Sequence, residues 1–234
     1  MSCRQVNVPG IGKMVIYKRR DSRNIRLSIT PRGTLRATIP YWAPYTQAVT
    51  FAVHKSEWIT KQLSKTQPVL LKDGQQIGKA HHLSFSGDSL IQDVSSSTTG
   101  NNISIKYPPG LQDSDEIVQS LARELAVKAL KDEANVLLPQ RLEQLAKKFN
   151  YVYTSVNIRK LHSRWGSCSQ NRDIKLSLYL MQLPWELIDY VLLHELAHTK
   201  VLHHGPDFWH ELESSLPNAR ILRKQIRAYQ SRII

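Results

Sequence analysis

The sequence predicts an α+β protein, with a basic, β-rich N-terminal region ahead of a largely helical C-terminal half. Three observations carry this. Residues 14–40 alternate apolar and polar side chains with period two, residues 113–149 and 185–202 are rich in helix formers and carry helically spaced apolar side chains, and the positive charge is concentrated at the start. The chain has 234 residues, 32 Lys and Arg against 19 Asp and Glu, and 41% hydrophobic residues. That composition supports a substantial core and excludes a wholly disordered chain. No apolar run reaches the ~20 residues of a membrane span, and MSCRQVNVPGIGK lacks the apolar stretch of a secretory signal. Cys3 and Cys168 are too few for a disulfide framework or a cysteine-rich zinc site, so a soluble, cytoplasmic protein is expected.

In chain order, Met14 and Ile16, then Ile25, Leu27 and Ile29, occupy one face opposite basic neighbours. Thr30-Pro31-Arg32-Gly33 reads as a turn, and Leu35, Ala37 and Ile39 as a further strand ended by Pro40. The expectation is a meander with one wet, basic face. From Thr46 to about Leu63 the spacing becomes helical, with Val49, Val53, Trp58 and Ile59 apolar. Asp73-Gly74 reads as a hairpin turn, followed by short strands at His82–Ser86 and Ile103–Tyr107. Between these strands, the polar residues 93–102 are expected to form a mobile loop. No internal repeat is evident.

Pro108-Pro109-Gly110 breaks the chain, and the domain boundary is placed there, giving residues 1–110 and 111–234. Asp113 to Phe149 is helical in composition, with Pro139 a possible interruption. Strands follow at Ser155–Arg159 and Ile174–Leu180. Pro184 suits a first helical turn, and Trp185 to about Leu202 then reads as one helix, apolar on nearly every side.

Of the net charge of +13, residues 1–70 contribute +10, residues 71–150 −1 and residues 151–234 +4. The excess centres on Lys13, Lys18, Arg19, Arg20, Arg23, Arg26, Arg32 and Arg36. Such a patch can attract nucleic acid, acidic protein or polyphosphate, or can simply be a solvated face. Few aromatics interleave with it in sequence, so no base-stacking surface is expected.

The chemistry lies on the apolar helix. His194, Glu195 and His198 form His-Glu-x-x-His, and positions i and i+4 share a helix face, so both imidazoles can meet one metal ion. Glu195 is turned about 100° from His194, beside the ion, where a carboxylate can take a proton from an activated water. Three polar groups on a buried helix would be expensive without such a partner; two hydrogen-bonded core histidines are the bland alternative. A catalytic zinc takes three protein ligands, and the downstream donors are His203, His204, His210, Glu211 and Glu213. His204, six residues after His198, is favoured; His203 is its nearest competitor, and Glu211 suits a glutamate-type site. Cys168 as a fourth ligand would make the site structural. His162, Arg164, Tyr179 and Tyr190 are candidates to stabilise an oxyanion. Asp189 and Asp207 are candidates to orient imidazoles, Phe208 and Trp209 to anchor the returning chain, and His81 and His82 are read as incidental.

Arg164-Trp165-Gly166-Ser167-Cys168-Ser169, Ile188-Asp189-Tyr190-Val191, His194-Glu195-Leu196-Ala197-His198 and His204-Gly205-Pro206-Asp207-Phe208-Trp209 together resemble the YgjP-like metallopeptidase family, related to the SprT and WLM zinc peptidases. Arg26-Leu27-Ser28-Ile29-Thr30-Pro31-Arg32-Gly33 and Trp58-Ile59 extend the resemblance over nearly the whole chain, while Gly205 replaces the more usual serine. The resemblance implies a zincin-like domain, Zn2+ on His194, His198 and His204, and Glu195 as general base. The expected activity is hydrolysis of a peptide or protein by zinc-activated water. Two other readings stay open. One keeps the metal site but hydrolyses a phosphoanhydride such as a nucleoside triphosphate, with Arg32 and Arg36 binding phosphate; the other is a basic nucleic-acid-binding protein with a structural metal.

Overall fold

The computed structural model describes residues 3–30, 33–66 and 70–229; Pro31 and Arg32, the centre of the expected turn, lie outside them. Among the described residues it contains six α-helices and three sheets. The chain divides into two compact units, Met1–Pro68 and Val69–Ile234, each with its own hydrophobic core.

The first unit opens with β1 (Cys3–Val8), β2 (Gly12–Arg19), β3 (Arg26–Ile29) and β4 (Leu35–Pro40), followed by α1 (Tyr45–His54) and α2 (Ser56–Thr66). Alternation is obeyed: Met14, Ile16, Leu35, Ala37 and Ile39 are buried, while Lys13, Arg26 and Arg36 face water. The connectivity is not a meander. β4 lies between β2 and β3, parallel to β2 and antiparallel to β3, because the inserted strand carries the most apolar inner face and takes the centre of the sheet. The expected 46–63 helix is broken at Lys55, whose φ of −104° and ψ of 19° leave the helical region.

The second unit begins with β5 (Gln76–Ile77), β6 (His81–Gly87), β7 (Ser95–Thr99) and β8 (Asn102–Tyr107), ordered β5-β6-β8-β7. This is the connectivity of the first sheet. Each sheet is two antiparallel hairpins joined through a parallel central pair, β2 with β4 and β6 with β8. The repeat escapes the sequence because only inward-facing positions are constrained, and these tolerate any apolar residue of suitable size. The polar segment expected to be a loop is in fact β7 and its turn. Thr99 pairs with Asn102 across Gly100-Asn101, with Gly100 at φ 57°, so the two-residue loop closes a hairpin of exposed, β-competent Ser and Thr.

The long helix α3 (Glu116–Phe149) packs under this sheet, burying Val118, Ala122, Ala126, Leu130, Ala134 and Leu138. It runs through Pro139 without a break and ends at Asn150, which takes the left-handed conformation at φ 55°. The expected boundary at residue 110 therefore falls inside the second unit, since β8 and α3 flank it and share one core. A third sheet follows, of β9 (Ser155–Arg159), β10 (Gly166–Cys168) and β11 (Asp173–Ser177), ordered β10-β11-β9 with β10 at an edge. A 3₁₀ turn at Leu178–Gln182 leads to α4 (Trp185–Ala197), α5 (Pro206–Ser215) and α6 (Ala219–Ile226).

Candidate metal centre

Helix α4 is buried on most sides, through Leu187, Ile188, Val191, Leu192, Leu193, Leu196 and Ala197. It ends earlier than the sequence pattern suggests, with His198 as its C-cap rather than an interior residue. The last turn is closed locally: the N–H groups of Lys200 and Val201 both donate to the Ala197 carbonyl, at 3.0 Å each, and the Thr199 hydroxyl donates to that of Leu196 at 2.7 Å. Early termination frees residues 199–205 to reverse direction, and Gly205-Pro206 then starts α5. The reversal brings His204 back over the helix end.

His204 Nε2 lies 3.1 Å from His194 Nε2 and 3.2 Å from His198 Nε2. Three nitrogens bound tetrahedrally to one zinc at 2.0–2.1 Å would stand about 3.3 Å apart, so the cluster has the dimensions of a three-histidine site. Its orientation is fixed from behind. The Val201 carbonyl lies 3.0 Å from His198 Nδ1, which places the proton on Nδ1 and leaves Nε2 with its lone pair toward the cluster. Phe208, fully buried at the start of α5, forms the floor: its ring centroid is 4.5 Å from that of His198, 4.8 Å from His204 and 4.9 Å from His194.

The electrostatics favour neutral imidazoles. Burial, reinforced by the neighbouring His198 and His204 and then by Arg223, pushes His194 down to about 3. Burial also lowers His198, against the opposing bond to Val201. Neutral imidazole is the form that donates to a metal. His194 Nδ1 is buried with no hydrogen-bond partner among the described residues, so this ring is held by packing against Phe208 and Tyr190. The donor set fits a divalent cation of zinc type.

Glu195 is 5% exposed, and burial pushes its carboxyl up to about 8, opposed by the charge of Arg164. It lies against β10. A Cβ placed on Gly166 would stand 2.7 Å from Glu195 Oε1 and 2.8 Å from its Cγ, so only glycine leaves room for this carboxylate. The Trp-Gly-Ser-Cys stretch therefore lines the Glu195 carboxylate, and the glycine in it was the available signal.

The other candidates sort plainly. His203, His210, Glu211 and Glu213 are not in the cluster; Glu211 is paired with Lys200 at 2.8 Å. Cys168 is outside it too, and burial, with the nearby Glu195 and Asp173, pushes its thiol up to about 11. Asp189 does not orient an imidazole. It makes a two-pronged pair with Arg141 of α3, at 2.8 and 2.6 Å, while Asp207 is exposed. Tyr190 packs on His194 at 5.8 Å between centroids, whereas His162 lies against Tyr179, at 6.0 Å. His81 is not incidental: its Nδ1 is 2.6 Å from Oε1 of the buried Glu133, which also accepts from the N–H groups of Lys79, Ala80 and His81.

The zymogen of the metallopeptidase abylysin from Pyrococcus abyssi matches at 28% identity and a TM-score of 0.37, over 39% of this chain and 93% of its own. The zymogen of the metallopeptidase jannalysin from Methanocaldococcus jannaschii matches at 22% identity and a TM-score of 0.35, over 39% and 94% respectively. No curated protein matches the chain. A family model described as YgjP-like, metallopeptidase domain matches residues 23–229, and the chain belongs to that family.

Proposed function

We propose that the chain is a zinc-dependent peptidase in which His194, His198 and His204 hold the metal and Glu195 is the general base. The observation that carries this is the convergence of three Nε2 atoms, at 3.1 and 3.2 Å, beside a buried glutamate on the same helix. Zinc bound there would supply a Lewis acid that acidifies water and polarises a carbonyl. The chain's own contribution is positional. Phe208 and the Val201 carbonyl fix the imidazoles, and Gly166 admits the Glu195 carboxylate alongside. Glu195 takes a proton from the attacking water and returns it to the leaving amine. Burial makes that carboxyl a stronger base than an exposed one, and a cation held by the three imidazoles would favour its ionised form at neutral pH.

A peptide is favoured as substrate because β10 is an edge strand, paired on one side only among the described residues, beside Glu195. An extended peptide can add to such an edge through backbone hydrogen bonds. The free thiols Cys3 and Cys168 suit a reducing compartment such as the cytoplasm. The test is elemental analysis with a peptide-library assay. Wild type should carry about one zinc per chain, and His204→Ala should lose it. Glu195→Gln should keep zinc while cleavage falls by roughly 10²–10⁴-fold. Absence of zinc in wild type after exposure to micromolar zinc would sink the proposal.

A further inference from the structure

The first unit holds 12 Lys and Arg against Asp21 and Glu57 up to residue 68, so its cations cannot be neutralised from within. Asp21 is paired with Arg19 at 3.5 Å. Several of the remaining cations are positioned by aromatic rings instead. Lys18 Nζ sits 4.7 Å from the ring centroid of Tyr45 and 5.9 Å from that of Tyr41, and donates to the Tyr41 carbonyl at 3.1 Å. The guanidinium of Arg4 is 5.6 Å from the Tyr45 ring, and that of Arg20 is 5.6 Å from the Tyr41 ring. A ring fixes a cation's position while leaving its full charge in place; a carboxylate would cancel it. Next to this group Trp42 projects into solvent, 76% exposed, with Tyr41 56% exposed.

The cluster is invisible in sequence order, because Tyr41, Trp42 and Tyr45 follow β4 while their cations come from β1 and the end of β2. The fold joins them: the Tyr41 N–H donates to the Arg19 carbonyl at 3.0 Å and extends the parallel pairing past Pro40. Few aromatics interleave with the basic patch along the sequence, but the fold places the Tyr41 and Tyr45 rings beside Arg4, Lys18 and Arg20.

We propose that Arg4, Lys18, Arg20, Tyr41, Trp42 and Tyr45 form a binding surface for single-stranded nucleic acid. The cations meet phosphates, and the exposed Trp42 and Tyr41 rings offer faces on which unpaired bases stack. Duplex is disfavoured as the partner because its bases are already stacked on one another and present no free face. The surface lies in the first unit, and the metal centre in the second.

The experiment is fluorescence anisotropy of a labelled 12-nucleotide oligothymidylate titrated with the full chain, repeated against a duplex of equal length and inorganic polyphosphate. Binding should weaken linearly with the logarithm of salt concentration, and single strand should outcompete duplex and polyphosphate. Trp42→Ala should weaken single-strand binding by about 5-fold or more, the scale of one lost stacking contact. Arg4→Gln with Arg20→Gln should flatten the salt slope by about 1–2. Glu195→Gln and His204→Ala should bind as wild type does. Unchanged circular dichroism and zinc content in the surface variants exclude misfolding. No binding, equal affinity for polyphosphate, or full affinity in Trp42→Ala would each overturn the proposal.

Discussion

Gly166 and Glu195 show how closely the centre is drawn. The backbone of β10 passes so near the Glu195 carboxylate that one added methyl group would overlap it, at 2.7 Å from Oε1 and 2.9 Å from Cδ. Gly166→Ala should therefore displace the carboxylate while sparing the three imidazoles. Cleavage should fall on the order of 10²-fold, the usual penalty for about 1 Å of misplacement. Zinc content should stay at the wild-type level. Loss of zinc in this variant would mean that β10 supports the imidazole cluster rather than the Glu195 carboxylate. Of these residues, His194, Glu195 and His198 were legible in the sequence because their spacing alone puts them on one helix end. His204 could be favoured but not fixed, since the reversal depends on where α4 stops. Phe208 could be read as an anchor; its contact with all three rings exists only once the chain has turned back.

At the scale of elements, helices and strands were legible where one face is apolar, and failed where context decides. Ser95–Thr99 has no apolar face, and its strand exists because β8 offers a free edge beside it. Residues 185–202 keep helical spacing past His198, yet the helix stops because the next N–H groups tighten to bonds three residues back, Thr199 to the Leu196 carbonyl and Lys200 to that of Ala197. Side-chain ties then lock elements together. The Arg141–Asp189 pair joins α3 to α4, and Glu133 of α3 holds the turn between β5 and β6 through three N–H groups at 2.6, 3.0 and 3.3 Å. Glu133 is buried, so Glu133→Ala strands those donors and the ring of His81. Urea unfolding should register a loss of about 2–4 kcal/mol, the cost of more than one buried donor left unmade. Zinc content of the folded fraction should be unchanged.

Taken whole, the molecule holds two cores, and the cut between them belongs near residue 68 rather than 110. The sequence misled here because Pro108-Pro109-Gly110 is a true break in the chain path but not in the core, where Ile103, Ile105, Val118 and Ala122 pack in one cluster. A chain starting at residue 69 should fold and take up about one zinc, and chelation should lower its melting temperature, because a ligand bound only to the folded state stabilises it. A chain starting at residue 111 loses the sheet that covers α3 and should aggregate. Failure of the longer fragment to fold would show that the first unit is needed for the second. The doubled sheet also bears on how the chain finds its structure. Each sheet consists of two hairpins that can close locally, within about 1–10 μs. The parallel seams, Met14 on Leu35 and Leu83 on Ile103, join positions much farther apart in the chain. Docking hairpin on hairpin is thus the slow event, and it happens twice. Seam substitutions that weaken this docking will slow refolding, whereas changes at the outer strands will mainly hasten unfolding.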